Sequence, residues 1–258
     1  MSRLNDIVSF IEYDFARNMI IEPEKRVPRL RESLLDVIKT YNPGVIVKAG
    51  LGNGQILYDL AKNSSAYIVV VEPSLAIMRE FIKRHEGDAA VDRIHFINGE
   101  FNCFPVDYYA ADMIVCIDYL DFLESGKVVD EFTRALQFDG ILFMGSVVLE
   151  DDDLEGRYDD FMRSVFPLHN DYYLREDLKT FMDLNDLKFV KGTFDRYDID
   201  LASLADYFAA FRADAGENPM AQIEEHRDEY AELYKLVGNS LSEPYYISVF
   251  TRVKPDKK

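Results

Sequence analysis

The sequence predicts a doubly wound α/β fold, a mostly parallel sheet with helices on both faces, and three observations carry that expectation. Apolar runs of strand length alternate with amphipathic helical stretches from about residue 45 to residue 148. Glycines at 50, 52 and 54 follow the first of those runs directly and precede a helix. An acid, Glu72, closes the second run.

Taken in order, the apolar runs predict strands at 45–47, 67–71, 94–97, 113–117 and 141–148. Between them Ile56, Leu57, Leu60 and Ala61 recur at helical spacing, as do Leu75, Met78 and Ile82, and then Val128, Phe132 and Leu136. Phe138-Asp139-Gly140 reads as a turn into the fifth strand. Upstream, two helices are expected within residues 4–40, broken around Glu22-Pro23 and Val27-Pro28. The second covers 29–39, with Leu30, Leu34, Leu35 and Ile38 on one face. Residues 1–40 thus form a helical cap over a sheet edge or pocket mouth, and 41–258 the main domain. After residue 148 the alternation stops. A helix at 174–184 leads to a strand at 187–193, and 245–253 alternates as a final strand. Insertions fall at about 150–175 and 201–242; the second is mostly helical and too long for a simple connection, so it is a lid or the surface of a homodimer.

Composition narrows the function. The 258 residues carry a formal net charge of -18, so a phosphate backbone meets a repelling surface and nucleic acid is a poor substrate. No apolar run approaches the ~20 residues that span a bilayer, and no signal-peptide segment opens the chain, which points to a cytoplasmic protein without membrane partners. Cys103 and Cys116 lack metal-ligand spacing and read as reduced thiols. The acidic run 150–153 lacks the alternating spacing of a calcium loop, and no metal site is expected.

The glycine turn lets the backbone approach a ligand where a Cβ would obstruct it. Its G-x-G-x-G spacing differs from the dinucleotide fingerprint, because the third glycine comes one position early. Glu72, 22 residues after Gly50, stands where a carboxylate can accept from both ribose hydroxyls. After the third strand, Glu100 could accept from an exocyclic adenine amine, with Phe101 packing on the ring. Asp118 is a cap residue or a ligand contact at the carboxyl edge. Tyr119 and Asp121 either cap and pack a helix or form a substrate wall, with Phe122 assigned to packing. His169, among polar and aromatic groups, is a candidate general base or a surface histidine.

With KAGLGNG (48–54), VVVEPS (69–74), INGEFNCFP (97–105), ADMIVCIDYLDFL (111–123) and DGILFMGSVV (139–148), the chain resembles the class I, Rossmann-like S-adenosylmethionine-dependent methyltransferases over roughly residues 40–253. The resemblance implies a seven-stranded sheet with its last strand antiparallel, and methyl transfer from S-adenosylmethionine to a small-molecule acceptor. It also implies cofactor contacts at Lys48, Gly50, Gly52, Gly54, Glu72, Pro73, Glu100, Phe101 and Asp118. Asp118, Tyr119 and His169 are then the catalytic candidates. A non-catalytic or altered-ligand binding protein of the same fold is the alternative.

One residue departs from the resemblance. Family members commonly carry an acid where this chain has Lys48, near the cofactor's ammonium and sulfonium. Like charges ~4 Å apart repel by about 4 kcal/mol at an effective dielectric near 20. Lys48 therefore points out of the site, pairs with Glu72, Glu100 or Asp118, or marks a different ligand.

Overall fold

The apolar runs become strands β1 (Val45–Ala49), β2 (Tyr67–Glu72), β3 (Ile94–Asn98), β4 (Ala111–Ile117) and β5 (Leu136–Val147). Two longer strands, β6 (Leu187–Asp200) and β7 (Ser240–Arg252), complete a seven-stranded sheet of order β3-β2-β1-β4-β5-β7-β6. Strands β1 to β5 pair in parallel, while β7 runs antiparallel to both β5 and β6. The computed structural model describes residues 3–17, 23–211 and 218–254.

The central strands are apolar on both faces because helices cover both. Ile46, Val47, Met113, Ile114 and Val115 are all buried. The helices are α1 (Arg3–Arg17), α2 (Pro23–Tyr41), α3 (Gln55–Asn63), α4 (Leu75–Arg84) and α5 (Ser125–Ala135), then α6 (Arg157–Val165) and α7 (Arg175–Leu184). Three short ones, α8 (Leu201–Phe208), α9 (Pro219–Glu225) and α10 (Arg227–Tyr234), occupy the described part of the 201–242 insertion. Strand order reverses between β1 and β4, so their carboxyl ends open a crevice.

Three expectations need correction. The break at Val27-Pro28 is absent: α2 starts at Pro23 and carries Pro28 inside it. A proline at the sixth helical position deprives one first-turn carbonyl, that of Glu24, of its partner, and the helix continues. Glu22, the other half of the first expected break, lies outside the described residues. The turn at Phe138-Asp139-Gly140 is a bulge within β5, which already pairs at Ala111↔Leu136 and resumes at Met113↔Ile141, with Asp139 at φ 65°. The two last strands also run further than expected, as a ladder from Leu187↔Arg252 to Asp200↔Ser240. Beyond residue 193, Tyr197 and Ile199 are buried while Asp198 and Asp200 are exposed, a period-2 pattern hidden by its charges.

Helices α1 and α2 are fixed across the carboxyl edge by side chains. Glu12 of α1 accepts from the Ser74 hydroxyl at 2.6 Å, and Phe10 packs on Phe122 and Phe166. Helix α2 buries Leu30, Leu34 and Val37 in the core, and Arg31 reaches Asp59 of α3 at 2.7 Å.

Candidate active site

The crevice is roofed by α1, α2, α6 and α8 into a cavity with an empty volume of about 1260 Å³ counted to its mouth. Its walls are mainly aromatic and aliphatic, including Phe10, Phe122, Met162, Phe166, Leu204 and Phe208. Phe122, expected to be packing, forms part of that wall. At the sheet end the cavity reaches Lys48, Gly52, Asn53, Asp118, Tyr119 and Asp121.

The three loop glycines have different reasons to exist. All lie in the left-handed region, at φ 72°, 60° and 87°. A Cβ on Gly54 would stand 2.5 Å from the Phe81 ring, so that glycine serves helix packing. A Cβ on Gly50 would stand 2.2 Å from the Tyr119 ring. At Gly52 a Cβ would meet nothing within 4 Å, which leaves Gly52 as the glycine facing free space. Tyr119 lies across this loop with its hydroxyl accepting from Gly52 N at 3.3 Å and its ring edge-on to Phe101.

Glu72 is fully buried at the end of β2, and its two carboxylate oxygens accept from Leu51 N and Ser74 N, both at 2.8 Å. It thus ties the glycine loop to the start of α4, where Ser74 caps the helix. Burial outweighs those bonds and pushes its pKa up to about 7. Pro73, Glu100 and Phe101 line a second, smaller crevice beneath α1, together with Leu4 and Ile7. Glu100 and Phe101, the two residues expected at an adenine, thus line one crevice.

Lys48 neither leaves the site nor forms an ion pair with Glu72, Glu100 or Asp118. It is 2% exposed, and its Nζ donates to the Gly50 carbonyl at 2.6 Å. The reach is short because β1 ends one residue later and the chain turns back over the ammonium. Desolvation lowers its pKa to about 8, with Cys116, Glu72 and Asp118 opposing the shift.

Asp118 follows β4 at φ 56°, a left-handed conformation that aspartate tolerates, with its N–H donating to Gly145 O. Its carboxylate pairs with Arg26 of α2 at 2.8 Å. The Arg26 guanidinium, 3% exposed, also sits over the Tyr245 ring at 4.4 Å. Burial raises the Asp118 pKa, and Arg26, Tyr245 and Lys48 offset part of that rise. Asp121 is pushed up to about 8, first by burial and then by Asp118. Asp14 of α1 is raised to about 6 and Glu243 of β7 to about 7, both by burial first.

His169 stands away from this cavity. Its side chain is buried, its Nε2 is 2.7 Å from Asp159 Oδ1, and its ring lies against Tyr172. It braces the segment after α6 and is not one of the residues lining the cavity. Sequence reasoning missed Arg26, Asp14 and Glu243. Arg26 carries no signal in its own neighbourhood, whereas Glu243, a lone acid beside an alternating strand, could have been singled out. Among the described residues no cluster suited to a metal is present, both cysteines are free, and no helix is long and apolar enough to cross a membrane.

These buried acids set a pH dependence. In each, the folded pKa lies above the ordinary value, so between the two the folded chain holds more protons than the unfolded chain and stability falls as pH rises. With Asp14 at about 6, Glu72 and Glu243 at about 7 and Asp121 at about 8, thermal stability is expected to decline from about pH 4 to pH 8. Lys48 has the opposite sign: a depressed ammonium returns stability above about pH 8, until Cys116, pushed up to about 12, works against it beyond pH 9. Melting curves at one-unit steps check this. A stability maximum at pH 7–8 would show that the acids keep ordinary pKa values.

Comparison with known proteins supplies a domain match and a fold. Residues 46–140 match the family model described as a methyltransferase domain. No curated protein matches the chain by sequence. Among solved structures, the YcgJ protein of Bacillus subtilis superposes with a TM-score of 0.73 at 15% identity, covering 88% of this chain and 99% of that one. A provisionally assigned methyltransferase of Bacillus halodurans C-125 gives 0.71 at 13% identity, covering 86% and 100%. The geranyl diphosphate C-methyltransferase of Streptomyces coelicolor A3(2), solved with Mg2+, geranyl diphosphate and S-adenosyl-L-homocysteine, gives 0.58 at 15% identity, covering 87% and 81%. Residues 46–140 thus match a methyltransferase domain, and the chain as a whole has the class I, Rossmann-like methyltransferase fold.

Proposed function

We propose that the protein transfers a methyl group from S-adenosylmethionine to a small, largely apolar acceptor held in the roofed cavity. The observation that carries this reading is the position of the cavity: its aromatic chamber opens onto Gly52 and Asp118, at the switch point of the sheet. The cofactor fits the residues present on two counts. Pro73, Glu100 and Phe101 form a crevice suited to an adenine, and the free space at Gly52 leaves the loop backbone approachable. Lys48 alone would repel the cofactor's positive charges, but Asp14, Asp118, Asp121 and Glu243 line the same cavity, and a bound cation favours their ionised forms.

S-adenosylmethionine supplies an electrophilic methyl group on its sulfonium sulfur. The chain supplies position and dryness. Helices α1, α2 and α8 exclude water over the cavity, the aromatic walls orient the acceptor, and Asp118 with Arg26 fixes the roof against the sheet. No metal ligand or catalytic Cys/His pair is required for such a transfer.

One observation favours a second reading, a binding protein with an altered ligand. The Tyr119 ring covers Gly50, and Lys48 takes the Gly50 carbonyl, so both stand where a cofactor would lie on the loop. Calorimetric titration with S-adenosylmethionine and S-adenosylhomocysteine decides between them. Micromolar affinity, tightened about tenfold by Tyr119→Ala because the ring no longer has to be displaced, is the expected result for methyl transfer. No binding by either the wild type or the variant would leave the altered-ligand reading.

A further inference from the structure

We propose that the polar end of the cavity is a recognition site for an organic ammonium group, so that the acceptor is an amine carrying an apolar or aromatic body. As a statement about the acceptor this rests on the methyl-transfer reading; as a statement about the binding site it does not.

Four carboxyls line the cavity, Asp14, Asp118, Asp121 and Glu243, against two cations, Arg26 and Lys48. Both cations are already engaged. Arg26 is held by Asp118 at 2.8 Å and lies in the field of Glu243 as well, and the Lys48 ammonium is bound to the Gly50 carbonyl at 2.6 Å. Asp14 accepts from the Tyr207 hydroxyl. Acceptor capacity remains as well. The Asp121 carboxylate meets no side-chain donor among the described residues, and only its own backbone N–H lies near. Glu243 is wholly buried; its Oε1 accepts from the Tyr158 hydroxyl at 2.6 Å, while its Oε2 has no hydrogen-bond partner. One donor nitrogen, Arg26 Nη1, is also without an acceptor, but Asp118 and Glu243 already balance that guanidinium's charge.

A ligand that completes this end must bring hydrogen-bond donors and positive charge together. An alkylammonium does so, with two or three N–H groups on a compact cation. A carboxylate would add a fifth acid to the four, and an alcohol would bring no positive charge to hold Asp121 and Glu243 in their ionised forms. The rest of the molecule is then specified by the chamber, where Phe10, Phe122, Phe166 and Phe208 offer aromatic faces and edges and Met162 an adaptable thioether.

The test uses three probes of one shape, 4-phenylbutylamine, 4-phenyl-1-butanol and 4-phenylbutyrate, titrated calorimetrically into the cofactor-free protein at pH 9, above the pKa values of Asp121 and Glu243 and below that of an alkylammonium. The amine is expected to bind at least about tenfold tighter than either partner. Asp121→Asn, which keeps the shape and removes the ionisable carboxyl, should abolish most of that preference. Equal or tighter binding of the alcohol or the acid overturns the proposal, and this series needs no variant. So does an unchanged preference in Asp121→Asn, or competition between the amine and S-adenosylmethionine, which would assign the acids to the cofactor's own ammonium. Amine preference without S-adenosylmethionine binding would defeat the methyl-transfer reading and leave this one standing. The converse would do the reverse.

Discussion

Arg26→Ala is expected to destabilise the protein by about 3–5 kcal/mol, the usual cost of leaving one member of a buried ion pair without the other. The variant strands the Asp118 carboxylate against Glu243, and it deletes the guanidinium over the Tyr245 ring. The loss should be larger at pH 8 than at pH 5, because Asp118, already raised by burial, can take up a proton at the lower pH and no longer needs a cation. The double variant Arg26→Met with Asp118→Asn should recover much of the stability, since the cost lies in the orphaned charge and not in the lost pair. Thermal melts at both pH values decide the matter. A single variant that melts within a degree or two of the wild type would mean that the pair is solvated and the roof is not anchored there.

Gly52→Val is expected to reduce S-adenosylmethionine affinity more than about a hundredfold, equivalent to about 3 kcal/mol. The protein has room for the side chain, since a Cβ there meets nothing within 4 Å, so the added methyls would stand in space that only a ligand claims. A β-branched residue at φ 60° also strains the loop, at a cost of about 1–2 kcal/mol that appears in stability whether or not ligand is present. Gly52→Ala separates the two effects: it carries most of the backbone strain and little of the obstruction. If the valine variant binds as the wild type does, the glycine turn is not the cradle.

The sheet and its crevice were legible because parallel strands buried on both faces must be written in continuous apolar runs, and β1 to β4 are written that way. The glycine turn, Glu72, Pro73, Glu100 and Phe101 were legible as positions along the carboxyl edge. Their tasks were not. Glu72 turns inward to two backbone N–H groups, Gly54 makes room for Phe81, and Lys48 folds back on Gly50. Each outcome depends on where the next loop passes, a distance of a few ångströms that spacing along the chain does not encode. The roof was harder still. Arg26 and Asp14 reach the cavity from helices packed 92 residues or more away in sequence from Asp118, and nothing local to either marks it as a partner of the sheet. The charged outer half of β6 was missed for a simpler reason: its alternating acids mask a strand whose other face is buried.

The sheet order has a consequence for how the molecule is made. Strand β7 lies between β5 and β6 and donates to both, yet it is synthesised after either of them. Until it emerges, β5 keeps an open edge of buried and mostly apolar residues, among them Ile141, Leu142, Phe143, Met144 and Val147, and β6 has no neighbour to pair with. The Arg26–Asp118 pair cannot settle either, because Tyr245 and Glu243 beside it arrive with that same strand. The nascent chain therefore completes its cavity only once β7 has emerged, and in the interval the β5 edge is the surface a chaperone would have to shield.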